Sequence, residues 1–353
     1  MDNIPIVDSH LDLAENVTLF GFDLTLSIAE RRALEKRTHA QATVSLPELE
    51  RGGIAVVFAT VTPGFLAEDV GEDFEPHSAI YHTHEEAEAQ ALKQIELYQS
   101  WEKQGRVRLL YSVNDLEHHL QLWQSDRKPG LVLLMEGADP IVSVSDLPKW
   151  WQRGLRMIGL TYGDTQYAVG VASGNQPSKH GGLREAGVEL MQRMAALGFI
   201  WDISHLAEEG VWQGLEMKFP RVCASHANAR ELTPTNRHLS DDVIRALAER
   251  GGVIGLVLYN AFLEPSWRKD RTIRVTLAEH LRRHAEHMAG LAGWQHIGIG
   301  SDLDGGFGLE ESPQEIDSEA DLYKVGAVLP LEARAAVLST NWLDFLRRTL
   351  PKG

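Results

Sequence analysis

Short, unbroken apolar runs recur along the chain, and longer stretches with helical spacing separate them. The first run, Ile4-Pro5-Ile6-Val7, reads as a brief buried strand. A second, at 54–60, follows Gly52-Gly53, is rich in β-branched residues and has no polar side, as expected of a strand covered on both faces. Similar runs at 131–135, 156–161, 199–203, 221–225, 253–258 and 296–300 complete a set of eight, and 107–111 is a shorter accessory strand. Helical spacing predicts helices over 27–37, 46–51, 83–104, 113–123, 183–197, 207–217, 240–250, 276–291 and 331–349. Asp146 is placed to cap a helix running to Gln152, and Ser240 followed by Asp241 and Asp242 fits a helix start. The polar, Gly-rich stretch at 163–182 is long for a connection, a length usually tied to function or mobility.

Buried strands alternating with helices imply a parallel sheet covered on both sides. Eight such units point to an α/β fold of the (β/α)8 TIM-barrel type. A doubly wound open sheet is the alternative, but no Gly-rich dinucleotide fingerprint follows the first strand. With no repeat and no break in composition, one barrel domain over 1–353, ending in a C-terminal helix, is expected. In a barrel the C-terminal ends of the strands share one face, where active sites sit. Strand one delivers His10 and Asp12, on the same side if the strand stays extended. Strand three delivers Glu136, strand four Tyr162 and Asp164, strand five Ser204-His205, strand six Ser225-His226, and strand eight Asp302 with Asp304 beyond it.

Three imidazoles and several carboxylates at successive strand ends point to a metal centre. The set His10, Asp12, Glu136, His205 and His226 can serve two divalent ions if Glu136 bridges them. Composition narrows the rest. The 353 residues are 43% hydrophobic, and 34 Lys and Arg against 50 Asp and Glu leave a net charge of −16. That balance argues against nucleic acid as a partner. A single cysteine, Cys223, allows no intrachain disulfide. The amino terminus has no signal-peptide pattern and no run is long enough to span a bilayer, so the expectation is a soluble cytoplasmic protein with no membrane partner.

The motifs DSHLD at 8–12, MEGAD at 135–139, DISHLAE at 202–208, ASHANAR at 224–230, NRHLSDD at 236–242 and GSDLDG at 300–305 resemble the membrane (renal-type) dipeptidase family of the amidohydrolase superfamily. The resemblance runs nearly the full chain. It implies a binuclear zinc hydrolase that cleaves dipeptides through a metal-bridging hydroxide, and it suggests a homodimer. One Zn2+ would take His10, Asp12 and one Glu136 oxygen; the other would take the second Glu136 oxygen, His205 and His226. Asp302 would handle the proton, and Arg237 would bind the substrate's terminal carboxylate. Where members acting on ordinary dipeptides carry a histidine after the strand-four Leu-Thr, this chain has Tyr162, a phenol that can still donate to an oxyanion. Another small amide, such as an N-acyl amino acid, is the alternative substrate, and a catalytically silent metal-binding barrel is the alternative class.

Other candidates carry less. His280, His284 and His287 share a helix face, read as a solvated face of an outer helix. His82 and His84 are read as surface groups, and the adjacent His118 and His119 cannot share a face. Cys223, inside an apolar strand, reads as a small buried hydrophobe, and Trp150, Trp151 and Trp342 read as packing residues. His180 lies in the 163–182 loop with no assigned role.

Overall fold

The computed structural model describes residues 4–35, 40–66, 79–172 and 181–353. His180 and most of the second half of the 163–182 loop lie outside the described residues. Eight parallel strands form the predicted barrel: β1 (Ile6–Leu11), β2 (Ile54–Val61), β3 (Gly130–Glu136), β4 (Leu155–Gly159), β5 (Ile200–Asp202), β6 (Val222–Cys223), β7 (Ile254–Leu256) and β8 (Ile297–Ile299). They pair in the order β7-β8-β1-β2-β3-β4-β5-β6. The ring closes where Ala224 N donates to Val253 O at 3.0 Å and Gly255 N donates to Ala224 O at 2.9 Å. The accessory strand is Arg108–Leu109, which among the described residues pairs only with the start of β3.

Each strand is buried on both faces because alternate residues feed two apolar clusters. In β2 and β3, Val56, Phe58, Val132 and Leu134 join one cluster, and Val57, Ala59, Leu131 and Leu133 join the other. The first cluster is the barrel interior, and Trp342 enters it from the C-terminal helix Asn341–Thr349, edge-on to Phe58 at 4.9 Å. Arg348 donates to Gly251 O and Val113 N donates to Pro351 O, so this helix covers the N-terminal ends of the strands. The opposite rim is left for chemistry.

Most predicted helices form within a residue or two of the expected ends. Thr83, Ser112 and Ser240 cap theirs through side-chain oxygens. Asp146 does not cap. It sits in a short 3-10 turn started by Ser143, makes no capping bond, and pairs instead with Lys149 at 2.5 Å. The helices expected over 276–291 and 331–349 each contain a wider π turn, at Leu277–Leu281 and Ala336–Thr340. The expected solvated histidine face turns inward at two of its three positions. His280 and His284 are buried; His284 accepts from Ala229 N at 3.2 Å, while His287 pairs with Asp241 at 2.8 Å. The outer helix packs this face on the loop after β6, so packing rather than solvent sets its character.

His119 is also buried, its Nε2 donating to Ala55 O at 2.8 Å. Burial lowers the pKa of His119 and of His284 from 6.5 to about 4. The unfolded chain therefore takes up these protons first. The contribution is full above the unfolded value and is lost as the pH falls toward the folded one. Urea titrations from about pH 7 to about pH 5 should show stability falling by on the order of 1 kcal/mol for each of these histidines, and His119→Gln should flatten its share.

Candidate metal centre and adjoining pocket

The rim is built by local departures from regular strand geometry. Between Asp8 and Leu11, three steps along β1 match two along β2, from Val57 to Ala59. This bulge lets consecutive residues face inward. Ser9 donates to Ser225 O at 2.5 Å and to Ile299 O at 2.7 Å, and His10 stacks on His226 with ring centroids 3.6 Å apart. His205 and Asp302 hold left-handed backbone conformations, φ 63° and 61°, which for non-glycine residues often mark functional turns.

These turns bring the side chains together around one oxygen. Glu136 Oε1 lies 3.2 Å from His205 Nε2 and 3.5 Å from the Nε2 atoms of both His10 and His226. His10 Nε2 is 3.7 Å from Asp12 Oδ1 and 3.9 Å from Asp302 Oδ1. His205 Nε2 and His226 Nε2 approach to 2.9 Å.

The far sides of the imidazoles decide what these atoms can be. His205 Nδ1 must donate to Val171 O, 2.9 Å away. His226 Nδ1 is 2.8 Å from Ser225 Oγ, whose own proton goes to Asp202 Oδ2. Both Nε2 atoms of the neutral rings are then lone pairs. Burial keeps the rings neutral: it lowers the pKa of His10 to about 4 and those of His205 and His226 well below the ordinary value. Arg237 Nη2 donates to His205 Nε2 at 3.0 Å, but Glu136 Oε1 has no donor among the described residues. Of the three rings Arg237 reaches only His205, so the lone pairs that converge on Glu136 Oε1 repel one another unless a cation lies among them. The donor set therefore fits divalent metal. Two overlapping groups, His10-Glu136-His226 and His10-Asp12-Asp302, have ligand atoms close enough to share ions.

The carboxylates respond to the same crowding. Burial and then the neighbouring Glu136 push Asp12 up to about 8, against a 2.5 Å hydrogen bond from Thr60 Oγ1. Asp302 is raised well above the usual range by burial and by Asp12 and Glu136, with Arg237 opposing.

All eight residues expected at the site, His10, Asp12, Glu136, Tyr162, His205, His226, Arg237 and Asp302, stand at this rim. Arg237 is buried, and its Nε and Nη1 have no acceptor among the described residues. The Tyr162 ring lies 4.7 Å from that of His205. Other polar groups from the strand ends do not reach the centre. Ser204 and Ser225 sit behind the histidines on Asp202. Asp164 accepts from Gly170 N. Asp304 turns away to accept from Thr43 N and Oγ1, Val44 N and Arg31 Nη1 at 2.7–3.2 Å.

Several supporting residues carry no motif of their own. Thr60, near the end of β2, and Thr62, just past it, donate to Asp12 and Glu136; their i, i+2 spacing at a strand end is the signal that could have found them. Gln94 fixes Thr62 through both its backbone groups, and Asn16 Nδ2 joins Asp12 O to Asp304 O, tying the first strand end to the last. Gly305 is required by space: a Cβ there would strike Asp302 Oδ1 and stand 2.9 Å from Asp12 Oδ2.

A cavity of about 220 Å³ opens beside the centre, below the roughly 300–1,000 Å³ of drug-sized sites. Asp12, Glu136 and Asp302 line it on one side; Arg237, Tyr259, Phe262 and Arg268 contribute to its wall as well.

Comparison with known proteins gives the family and the fold. A family model of membrane dipeptidases, peptidase family M19, matches residues 1–324. An uncharacterized protein from the pqqA 5′ region of Klebsiella pneumoniae is 31% identical over 205 residues, which cover 57% of this chain and 73% of that one. An uncharacterized dipeptidase of Schizosaccharomyces pombe is 32% identical over 187 residues, 52% of this chain; the match spans less than half of that relative, 43%. A metallopeptidase from Rhodobacter sphaeroides, solved with a phosphinate mimic of L-Ala-D-Ala, shares the fold with a TM-score of 0.77 at 24% identity, covering 99% of this chain and 100% of that one.

The Gly305 contact gives a direct test of the centre. Gly305→Ala should displace the Asp12 and Asp302 carboxylates and weaken divalent-metal binding by about tenfold or more in calorimetric titration of the chelated protein, with little change in unfolding midpoint.

Proposed function

We propose that this rim hydrolyses dipeptides with two divalent ions, on the premise that the chain belongs to the membrane dipeptidase family, peptidase family M19, whose members are metal-dependent peptide hydrolases. The observation that carries the reading is the bare Glu136 Oε1 among three imidazole Nε2 lone pairs. One ion would be held by His10, Asp12 and Glu136, the other by Glu136, His205 and His226, and Zn2+ suits this mixed nitrogen and oxygen set. Bound there, the pair supplies Lewis acidity for the scissile carbonyl and lowers the pKa of the attacking water.

The chain's own residues account for the remaining steps. Arg237, whose Nη2 is held by His205 Nε2 and His226 O, offers its acceptor-free Nη1–H and its positive charge to the substrate's terminal carboxylate. Asp302 takes a proton from the attacking water and returns it to the departing amine nitrogen, so the carboxylate ends each cycle as it began. Tyr162 donates its hydroxyl hydrogen to the carbonyl oxygen as negative charge develops there. Burial and the surrounding carboxylates push its pKa upward, which keeps that hydrogen in place. Among the described residues no helix is long and apolar enough to cross a membrane. The proposal includes a homodimer, for which sedimentation would report twice the 39.3 kDa chain.

The test is turnover of a dipeptide panel by zinc-loaded protein, run beside N-acyl amino acids. Dipeptides should be cleaved and the metal content should approach two ions per chain. Cleavage confined to N-acyl amino acids would move the substrate class, and no amide turnover would refute the enzyme reading. Asp302→Asn should retain metal yet lose about a hundredfold or more in kcat. Arg237→Ala should act chiefly on KM for substrates with a free carboxylate, raising it by about tenfold or more; an unchanged KM would remove Arg237 from that role.

A further inference from the structure

The pocket wall carries a second guanidinium that hydrolysis of a simple dipeptide does not use. Arg268 is half-buried, lines the same cavity as Arg237, and lies over the Tyr259 ring with its Cζ 5.4 Å from the centroid. Its neighbours use the acids within reach: Arg271 pairs with Glu311 at 2.8 Å, and Arg283 approaches Glu264 at 3.6 Å. Arg268 makes no ion pair among the described residues. In a chain of net charge −16, an arginine left unpaired at a cavity wall calls for a ligand explanation.

Arg268 is also held in position. Tyr259 stacks on Phe307 at 4.8 Å and meets Phe262 edge-on at 5.0 Å. Phe262 in turn lies under Arg237, whose Cζ is 5.6 Å from its centroid. One aromatic cluster therefore supports both cations through their faces and leaves Arg237 Nη1–H and the Arg268 guanidinium without an acceptor among the described residues. A single carboxylate on Arg237 neutralises one and leaves the other uncompensated, so the wall is matched by a ligand end bearing two anions.

We propose that the residue on the C-terminal side of the cleaved bond carries a side-chain carboxylate that Arg268 binds, so that the preferred substrates are dipeptides ending in aspartate or glutamate. This rests on the dipeptidase reading, in which Arg237 takes the α-carboxylate and so places that residue's side chain along the same wall. Arg268 is then a specificity-determining residue. The amide analogues asparagine and glutamine match the acids in size and lack only the charge, so they isolate what Arg268 recognises.

The experiment compares zinc-loaded wild type and Arg268→Gln on Ala-Asp, Ala-Glu, Ala-Asn and Ala-Gln, with the C-terminal residue in both chiralities. The wild type should favour each acid over its amide by about tenfold or more in kcat/KM, mainly through KM. Arg268→Gln should bring that ratio close to one, and Arg268→Lys, which keeps the charge without the fork, should retain part of it. A wild-type ratio near one, or a ratio that Arg268→Gln leaves as it was while dipeptides are cleaved, overturns the inference and leaves the dipeptidase reading standing. No turnover of any dipeptide overturns both.

Discussion

The site depends on one buried carboxylate oxygen with no hydrogen-bond donor. Glu136 Oε1 faces three imidazole nitrogens whose protons are committed on their far sides, to Val171 O and toward Ser225. Such an arrangement costs folding free energy, because buried acceptors repel and are cut off from water. It persists because each member is fixed from outside the cluster. Asp202 holds Ser225 and through it His226, and Thr62, itself clamped by Gln94, holds the other Glu136 oxygen. The second layer thus sets both the tautomer and the direction of the first.

The same principle governs the seam between the first and last strands. Asp12 and Asp302 come from opposite ends of the chain and must share a few ångströms. Asn16 bonds to Asp12 O and Asp304 O, and the Asp304 carboxylate is buried among Thr43, Val44 and Arg31. Asp304 takes part in positioning rather than chemistry. Its left-handed backbone and that of Asp302 turn the post-strand loop so that one aspartate faces the cavity and the other the shell.

Much of this was legible in the sequence, and the rest was hidden for physical reasons. Eight apolar runs separated by helical spacing specify a barrel, and strand ends then predict which residues meet. His10, Glu136, His205, His226 and Asp302 could be gathered by counting alone. The bulge in β1 could not, because alternation assumes regular pairing and no glycine or proline marks the irregularity at Ser9-His10. The inward turn of His280 and His284 was missed because a polar stripe looks solvated until the neighbouring loop is in place. Thr60 and Thr62 were hidden by size: a threonine inside a β-branched run looks like strand propensity, and only its partner shows that the hydroxyl matters. Asp146 stands at the expected N-cap position of the helix Leu147–Gln152, but a capping residue type does not fix its side-chain partner, and the carboxylate turns to Lys149.

The pocket brings acids and arginines together without pairing them: Arg237 donates to His205 Nε2 and His226 O rather than to a carboxylate. Asp12, Glu15, Glu136 and Asp302 line the cavity, and burial with mutual repulsion drives Asp12, Glu15 and Asp302 toward their protonated forms. Cations placed among them would relieve that repulsion and return the carboxylates to the ionised state in which they can act as ligands and bases. Arg237 and Arg268 stand on the aromatic wall and are stabilised by ring faces. Had salt bridges between the two groups balanced the site, each carboxylate would be tied to a guanidinium and neither could meet metal or substrate. Leaving the charges unpaired keeps the carboxylates available as ligands and bases, and keeps Arg237 Nη1 and the Arg268 guanidinium available to an anionic group.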